Sequence, residues 1–255
     1  MVTKLIIPDS HAHPDFNNKR FELLGHLMKD LRPDIVIDLG DSADMVSLCS
    51  YEKGTRSFEG RRYKKDIDAY LDAQDKMWHP VKTILNRTWQ PKKYRLIGNH
   101  EQRIEKIGYY APELTDVVSL KDLDDEKRYD VIVPYSGSTP GHIIIEGVTY
   151  AHYFTFNKKG FAPGGVHVSN TLGTKYHASC TMGHDHRFDY KRINHPASGK
   201  HIHALVAGVY VDYDMPYAGL TQTDWARGVV IKHNCSRGSY DLEWVSLERL
   251  KQTYG

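Results

Sequence analysis

The sequence predicts an α/β fold, and three observations carry that expectation. In the first hundred residues short apolar runs alternate with helix-period segments, and each run stops at Pro-Asp or at Gly. The second half changes to closely spaced β-type runs with turn signals between them. The β-α-β-α-β order of the first part calls for a parallel sheet, and such sheets present ligands at the carboxyl ends of their strands. The later part reads as mostly antiparallel β structure with short helices.

Each element has its own signal. Residues 4–7 form the first strand and end at Pro8-Asp9. Phe21, Leu24, Met28 and Leu31 then recur at helical spacing, with Asn17 or Asn18 as the N-cap and Pro33 as the stop. Residues 34–39 make the next strand, closed by Gly40. Ile67, Tyr70, Leu71, Met77, Trp78, Val81 and Leu85 mark one face of a long helix. A third strand over residues 94–97 is closed by Gly98. Residues 143–145 and 148–150 pair as a hairpin around Glu146-Gly147. Residues 157–165 are a loop, and residues 179–182, 187–193 and 201–206 are further strands, the last two joined by a turn over 196–199. No repeat, low-complexity tract or linker divides the chain, so residues 1–255 read as a single domain.

Composition narrows the function classes. Hydrophobic residues make up 40% and charged residues 26%, enough for a sizeable core, which excludes disordered and fibrous classes. Lys+Arg of 34 against Asp+Glu of 32 gives a formal net charge of +2, so any polyanion site must be local. Cys49, Cys180 and Cys235 are odd in number and lack metal-finger spacing, which argues against a disulfide framework or zinc ribbon and for a reducing cytoplasm. No run approaches the roughly 20 apolar residues that a bilayer requires, so no membrane partner is expected. What stands out is the 15 histidines, several of them beside Asp, Asn or Gly where strands stop.

Five polar clusters fall at those strand ends: Asp9-Ser10-His11, Gly40-Asp41-Ser42-Ala43-Asp44, Gly98-Asn99-His100-Glu101, His152, and Gly183-His184-Asp185-His186. Carboxylate, imidazole and amide donors together suit borderline divalent ions. Alternate residues of an extended backbone project to one side, so both members of Asp-x-His or His-x-His can face one centre.

Taken in this order the clusters resemble the signature of the calcineurin-like metallophosphoesterase superfamily: D-x-H, G-D-x-x-D, G-N-H-E, a lone His after a strand, and G-H-x-H. The resemblance spans Asp9 to His186. Glu101-Gln102-Arg103 after the third motif, and Trp225 ahead of Gly228-Val229-Val230, look like phage-encoded members. The resemblance implies a four-layer αββα sandwich of two mixed sheets flanked by helices. It implies two divalent metal ions, the first held by Asp9, His11 and His186, the second by Asn99, His152 and His184, with Asp41 bridging. It further implies His100 as proton donor or charge stabiliser at the scissile phosphate, with Asp44 orienting its ring. Such a pair polarises a bridging water into a hydroxide nucleophile near neutral pH and clamps phosphoryl oxygens. Manganese, iron, zinc, cobalt and nickel all suit these ligands.

The expected activity is therefore phosphoester hydrolysis in the cytoplasm, or in the host cytoplasm for a phage protein. Phosphoprotein phosphatases of the superfamily carry Arg-Gly after the second motif, whereas Met45-Val46 follows Asp44 here. That departure favours a phosphodiesterase. A nuclease, a small-nucleotide phosphodiesterase, a phosphoprotein phosphatase and a catalytically silent metal-binding scaffold remain as alternatives.

Other residues leave two readings each. Arg103 either replaces the missing phosphate clamp or lies on a helix surface. His13 either lines the substrate cleft or bonds a carboxylate behind the ligands, or else is an exposed turn residue. Arg56, Arg61, Arg62, Lys64 and Lys65, interleaved with Phe58 and Tyr63, suit either a nucleic-acid groove or a solvated face. Tyr153 narrows the pocket beside His152. His201 and His203 share a half-exposed sheet face, and Tyr210, Tyr213 and Tyr217, around Asp212 and Asp214, make a rim or an oligomer contact. Neither the natural substrate nor the oligomeric state is legible.

Overall fold

Alternation decides how the first strand is used. In Val2–Ile7 (β1), Leu5 and Ile7 face one core cluster while Ile6 faces another, as the two-residue period of a strand requires. Parallel neighbours follow in Ile35–Asp38 (β2), Lys92–Leu96 (β3) and Val131–Val133 (β4). The computed structural model describes residues 2–156, 161–196 and 199–255. Residues 157–160 of the expected loop and Ala197-Ser198 of the expected turn lie outside the described residues.

Two late strands, Gly228–Ser236 (β10) and Ser239–Ser246 (β11), return to this sheet, which has the order β11-β10-β1-β2-β3-β4. Both pair antiparallel. The second sheet is built from His142–Ile145 (β5), Val148–Ala151 (β6), Cys180–Met182 (β7), Phe188–His195 (β8) and Lys200–Ala207 (β9), in the order β5-β6-β7-β9-β8. Both sheets are mixed. The mostly antiparallel expectation for the second half therefore needs correction, because β6, β7 and β9 run parallel at the centre of their sheet. The apolar runs of the sequence were short enough for either arrangement, and the helix between β6 and β7 supplies the crossover a parallel pair needs.

The inner faces of the sheets meet through Ile6, Ile37, Leu96 and Val230 on one side and Val148, Tyr150 and Leu205 on the other. Helices Arg20–Leu31 (α1), Tyr63–Trp78 (α2) and Leu247–Tyr254 (α5) pack on the outer face of the first sheet. Val168–Tyr176 (α4) covers the outer face of the second, through Val168 and Leu172 against Met182, Ala204 and Val206. The result is an α/β sandwich of two mixed sheets with helices outside. Gln102–Tyr110 (α3) follows β3.

Several local expectations are corrected. The long helix stops at Trp78, because Pro80 has no N–H to continue it; Val81 and Leu85 lie beyond, in a short 3-10 turn and a loop. Lys19, not an asparagine, precedes α1, and Asn17 Oδ1 accepts from its N–H at 3.1 Å. Asn18 instead ties α1 to α2 through the Ala69 carbonyl. Tyr210 and Tyr213 are buried, so neither forms a rim; Tyr210 donates to the Arg20 carbonyl at 2.7 Å. His203 is buried between the sheets beside Tyr190 and Tyr240, which departs from the half-exposed expectation. Among the described residues no helix is long and apolar enough to cross a membrane.

Candidate metal centre

Five parallel strands of the two sheets end on one rim, and the polar clusters sit there. Asp9 follows β1, Asp41 follows β2, Asn99 and His100 follow β3, His152 follows β6, and His184 and His186 follow β7. His11, Asp41, His184 and His186 adopt left-handed backbone, with φ of 39°, 52°, 69° and 65°. Such conformations cost about 1–3 kcal/mol each and persist only where the surroundings enforce them.

Two buried residues brace the His11 and Asp41 backbones, and the motifs point to neither role. Arg20 is buried and donates to the carbonyls of Ser10 at 2.6 Å, His11 at 3.0 Å and Tyr210 at 3.1 Å. Glu101, also buried, accepts from the N–H groups of Asp41, Ala43 and Gly98 at 2.8 to 3.0 Å. Arg95 holds Glu101 and Asp38 at 2.7 Å each. Glu101 was visible as the last letter of the third motif, and Arg95 as a charge inside an apolar strand. Arg20 had no signal, since an arginine at a helix start ordinarily faces water.

Glycines allow the close approach. A Cβ on Gly183 would stand 2.2 Å from Asp9 Oδ1, and one on Gly98 would stand 2.1 Å from Asp41 Oδ1. Each carboxylate is also aimed by backbone: the His184 N–H donates to Asp9 at 2.9 Å and the His100 N–H donates to Asp41 at 2.8 Å.

The remaining donor atoms converge in two trios, each within the span of one ion's ligands. Asp9, His11 and His186 form one; Asp41, His152 and His184 form the other. Asp9 Oδ2 lies 3.2 Å from His186 Nε2, which is itself 3.2 Å from His11 Nε2. Asp41 Oδ2 is 3.3 Å from His152 Nε2, and Asn99 Oδ1 is 2.9 Å from the same nitrogen. His152 Nδ1 faces the Leu39 carbonyl at 3.0 Å, which sets a proton there and turns Nε2 toward Asp41 and Asn99. His11, Asp44 and His100 make a third trio that shares His11.

Charge explains why these residues can hold a cation. Asp9, Asp41 and Asp44 are all buried, and buried carboxylates without a positive partner are costly. Burial works against ionising Asp41, yet His152 and His100 outweigh it and hold the carboxyl well below its usual range. The same contest raises His152 to about 9: burial lowers it, and Asp41 and Asp9 more than reverse that. His184 is pushed down to about 4 by burial and by His152, leaving it neutral with a lone pair to give. A divalent ion supplies the positive charge that the protonated imidazole otherwise brings, so the residues fit one.

His100 lies at the edge of the trios, its ring 4.7 Å from that of His11. Its Nδ1 is 2.6 Å from the Asp44 carbonyl and 2.9 Å from Asp44 Oδ1. Burial opposes the charged form of His100, but Asp41 raises its pKa despite Arg103, with help from Asp44. Arg103, in the first turn of α3, turns inward: it bonds the Asp44 carbonyl at 2.9 Å and His100 Nε2 at 3.1 Å. His13 lines a cleft next to His100 and Asp44, with Nδ1 accepting from the Asp15 N–H at 3.0 Å; it does not back a ligand. Tyr153 packs 4.7 Å from His184, and Trp225 meets the His186 ring edge-on at 4.6 Å, so aromatic walls flank both ends of the G-H-x-H turn.

The basic-aromatic segment divides. Arg56, Arg62, Lys64 and Lys65 are exposed, whereas Arg61 turns in to the Val46 carbonyl and Glu52, and Tyr63 bonds Asp122 at 2.7 Å.

No family model matches the chain. It is similar to the Gene 54 protein of Mycobacterium phage L5, with 24% identity over 200 residues, covering 73% of this chain and 70% of that protein.

Proposed function

We propose that the chain is a calcineurin-like metallophosphoesterase that holds two divalent ions and hydrolyses phosphodiesters. The observation that carries this reading is the adjacency of two largely buried donor trios, Asp9/His11/His186 and Asp41/His152/His184, on the rim where parallel strands of both sheets end. One ion would be held by Asp9, His11 and His186, the other by Asn99, His152 and His184, with Asp41 between them. Manganese, iron, zinc, cobalt and nickel suit these nitrogen and oxygen donors. When bound, the ions supply Lewis acidity toward phosphoryl oxygens and activate water at neutral pH.

The chain's own residues do the rest. Asp44 holds the His100 ring through Nδ1, and His100 in its protonated form can give the Nε2 proton to the departing ester oxygen. Arg103, with Nη2 3.1 Å from His100 Nε2, brings a cation for a phosphoryl oxygen. A monoester dianion gains more from additional arginines than a diester monoanion does, and Met45-Val46 stands where the second one would be expected. The diester is therefore favoured. The likeness to a phage protein is in keeping with a phage-type member acting in the host cytoplasm.

The test combines metal analysis and turnover. Protein reconstituted with manganese should bind two ions per chain and hydrolyse bis(p-nitrophenyl) phosphate with higher kcat/KM than p-nitrophenyl phosphate. Asp41→Asn should lower occupancy and turnover together. At most one ion per chain under excess metal overturns the binuclear reading, and a monoester preference overturns the diester assignment.

A further inference from the structure

Beside His100 and Asp44 opens a cleft of about 540 Å³, within the range of roughly 300–1,000 Å³ that accommodates small organic ligands. Its most ordered wall is a ladder of planar groups. The Arg20 guanidinium lies over the Tyr213 ring at 5.2 Å, and that ring stacks on Phe16 at 3.9 Å, 6° from parallel. Tyr213 is fixed by donating its hydroxyl to the His11 carbonyl at 2.5 Å, the residue that carries a metal-facing imidazole. Phe16, the outermost ring, is 38% exposed. A rigid inner ring with an accessible outer one is a stacking platform, tied by its hydroxyl to the loop that bears His11.

The charges of the cleft restrict what stacks there. Glu52 on its wall pairs with Arg61, and Asp15 at its mouth is exposed, so neither end adds a surplus cation for a second phosphate. Arg103 at the floor is held by the Asp44 and Met45 carbonyls, neutral partners that leave its charge to an anion next to the trios. The cleft thus offers one anion position at its floor and, beyond it, an aromatic wall with hydrogen-bonding groups at the rim, Ser57, Glu52 and Asp15. Carboxylates there can accept from the amino and imino groups of a base edge. A phenyl ring would leave those acceptors unused and much of the volume empty.

We propose that this cleft is a nucleoside subsite, which takes one nucleoside of a small phosphodiester, its base stacked on Phe16 and its ester oxygen toward His100. Only the catalytic consequence rests on the phosphodiesterase reading: water adds to phosphorus, the bond from phosphorus to the nucleoside oxygen breaks, and that oxygen takes up a proton as the nucleoside leaves. Base recognition belongs to Phe16 and Tyr213 and holds whether or not turnover occurs.

The experiment measures binding first. In calorimetric titrations of the manganese-reconstituted chain, adenosine 5′-monophosphate should bind at least ten-fold more tightly than ribose 5-phosphate, the difference reporting base stacking. Phe16→Ala should erase that ratio, and Phe16→Trp should restore it. Phe16 is partly exposed, so circular dichroism should report folded protein for both variants. In turnover, Phe16→Ala should lower kcat/KM about ten-fold or more for a dinucleoside monophosphate. Equal affinity of the two phosphates, no measurable binding of either, or a ratio that survives Phe16→Ala overturns the subsite. Base discrimination without turnover of any diester keeps the subsite and removes the phosphodiesterase reading instead.

Discussion

His100 is the residue at which holding metal and moving a proton can be told apart. Its ring touches Asp44 through Nδ1 and Arg103 through Nε2, and it stands outside both trios proposed to hold ions, although a third grouping links it to His11. Under the proposed role, His100→Asn should retain both ions and lose about 10²–10⁴-fold in turnover of an unactivated diester. With nitrophenolate, which departs without a proton, the loss should be much smaller. Equal losses on both substrates would argue against proton donation, and loss of an ion in the variant would place His100 among the ligands. Arg20 shows the complementary case of a charge used for geometry: its guanidinium satisfies the Ser10, His11 and Tyr210 carbonyls and also pairs with Asp212.

At the scale of elements, the two sheets meet through a layer that is not purely apolar. Lys232 on β10 is fully buried, donates to Thr181 Oγ1 at 2.5 Å, and lies over the rings of Tyr240 and Tyr150. His203 on β9 shares that layer and bonds Tyr190. Burial, reinforced by Arg192 and Lys232, pushes the His203 pKa down to about 4, against about 6.5 for an unfolded histidine. The unfolded chain therefore takes up this proton first, and the stabilisation is complete above pH 6.5 and lost progressively as pH falls toward 4. Across that window the loss should reach about 2–3 kcal/mol. His203→Gln should flatten the acid limb of stability, measured by urea unfolding of both proteins at matched metal concentration between pH 4 and 7. Parallel acid limbs would show that His203 titrates normally in the folded chain.

For the whole molecule, the centre joins both sheets, since Asp9 and Asp41 come from the first and His152, His184 and His186 from the second. Any ion that bridges them stabilises the sandwich by mass action. At a metal concentration 100 times Kd each site contributes about 2.7 kcal/mol. In a chain of this size each kcal/mol moves Tm by about 2–4 °C. The two proposed sites together should therefore raise Tm by on the order of 10 °C over chelator-treated protein, with the increment growing with metal concentration. A melting temperature indifferent to chelator would mean that no ion couples the sheets.

Local chemistry was legible without coordinates. The runs ending at Pro8-Asp9, Gly40 and Gly98 marked strand ends because proline and glycine interrupt a strand through backbone geometry alone, and the donors beside them named the candidate ligands. Pairing was not legible: short apolar runs such as residues 179–182 satisfy parallel and antiparallel partners alike, and β10 joins the first sheet only through its pairing with β1, more than two hundred residues away in sequence. Burial of polar groups was equally hidden. Nothing local distinguishes Arg20 from a solvated helix-start arginine, or Phe16 from any loop aromatic, until Tyr210 and Tyr213 arrive from the far end of the chain to bond one and stack on the other. Composition and backbone preference act over a few residues and so set the donors and the breaks. Which of those donors face each other depends on loop closure over long separations, and only the packed sandwich decides it.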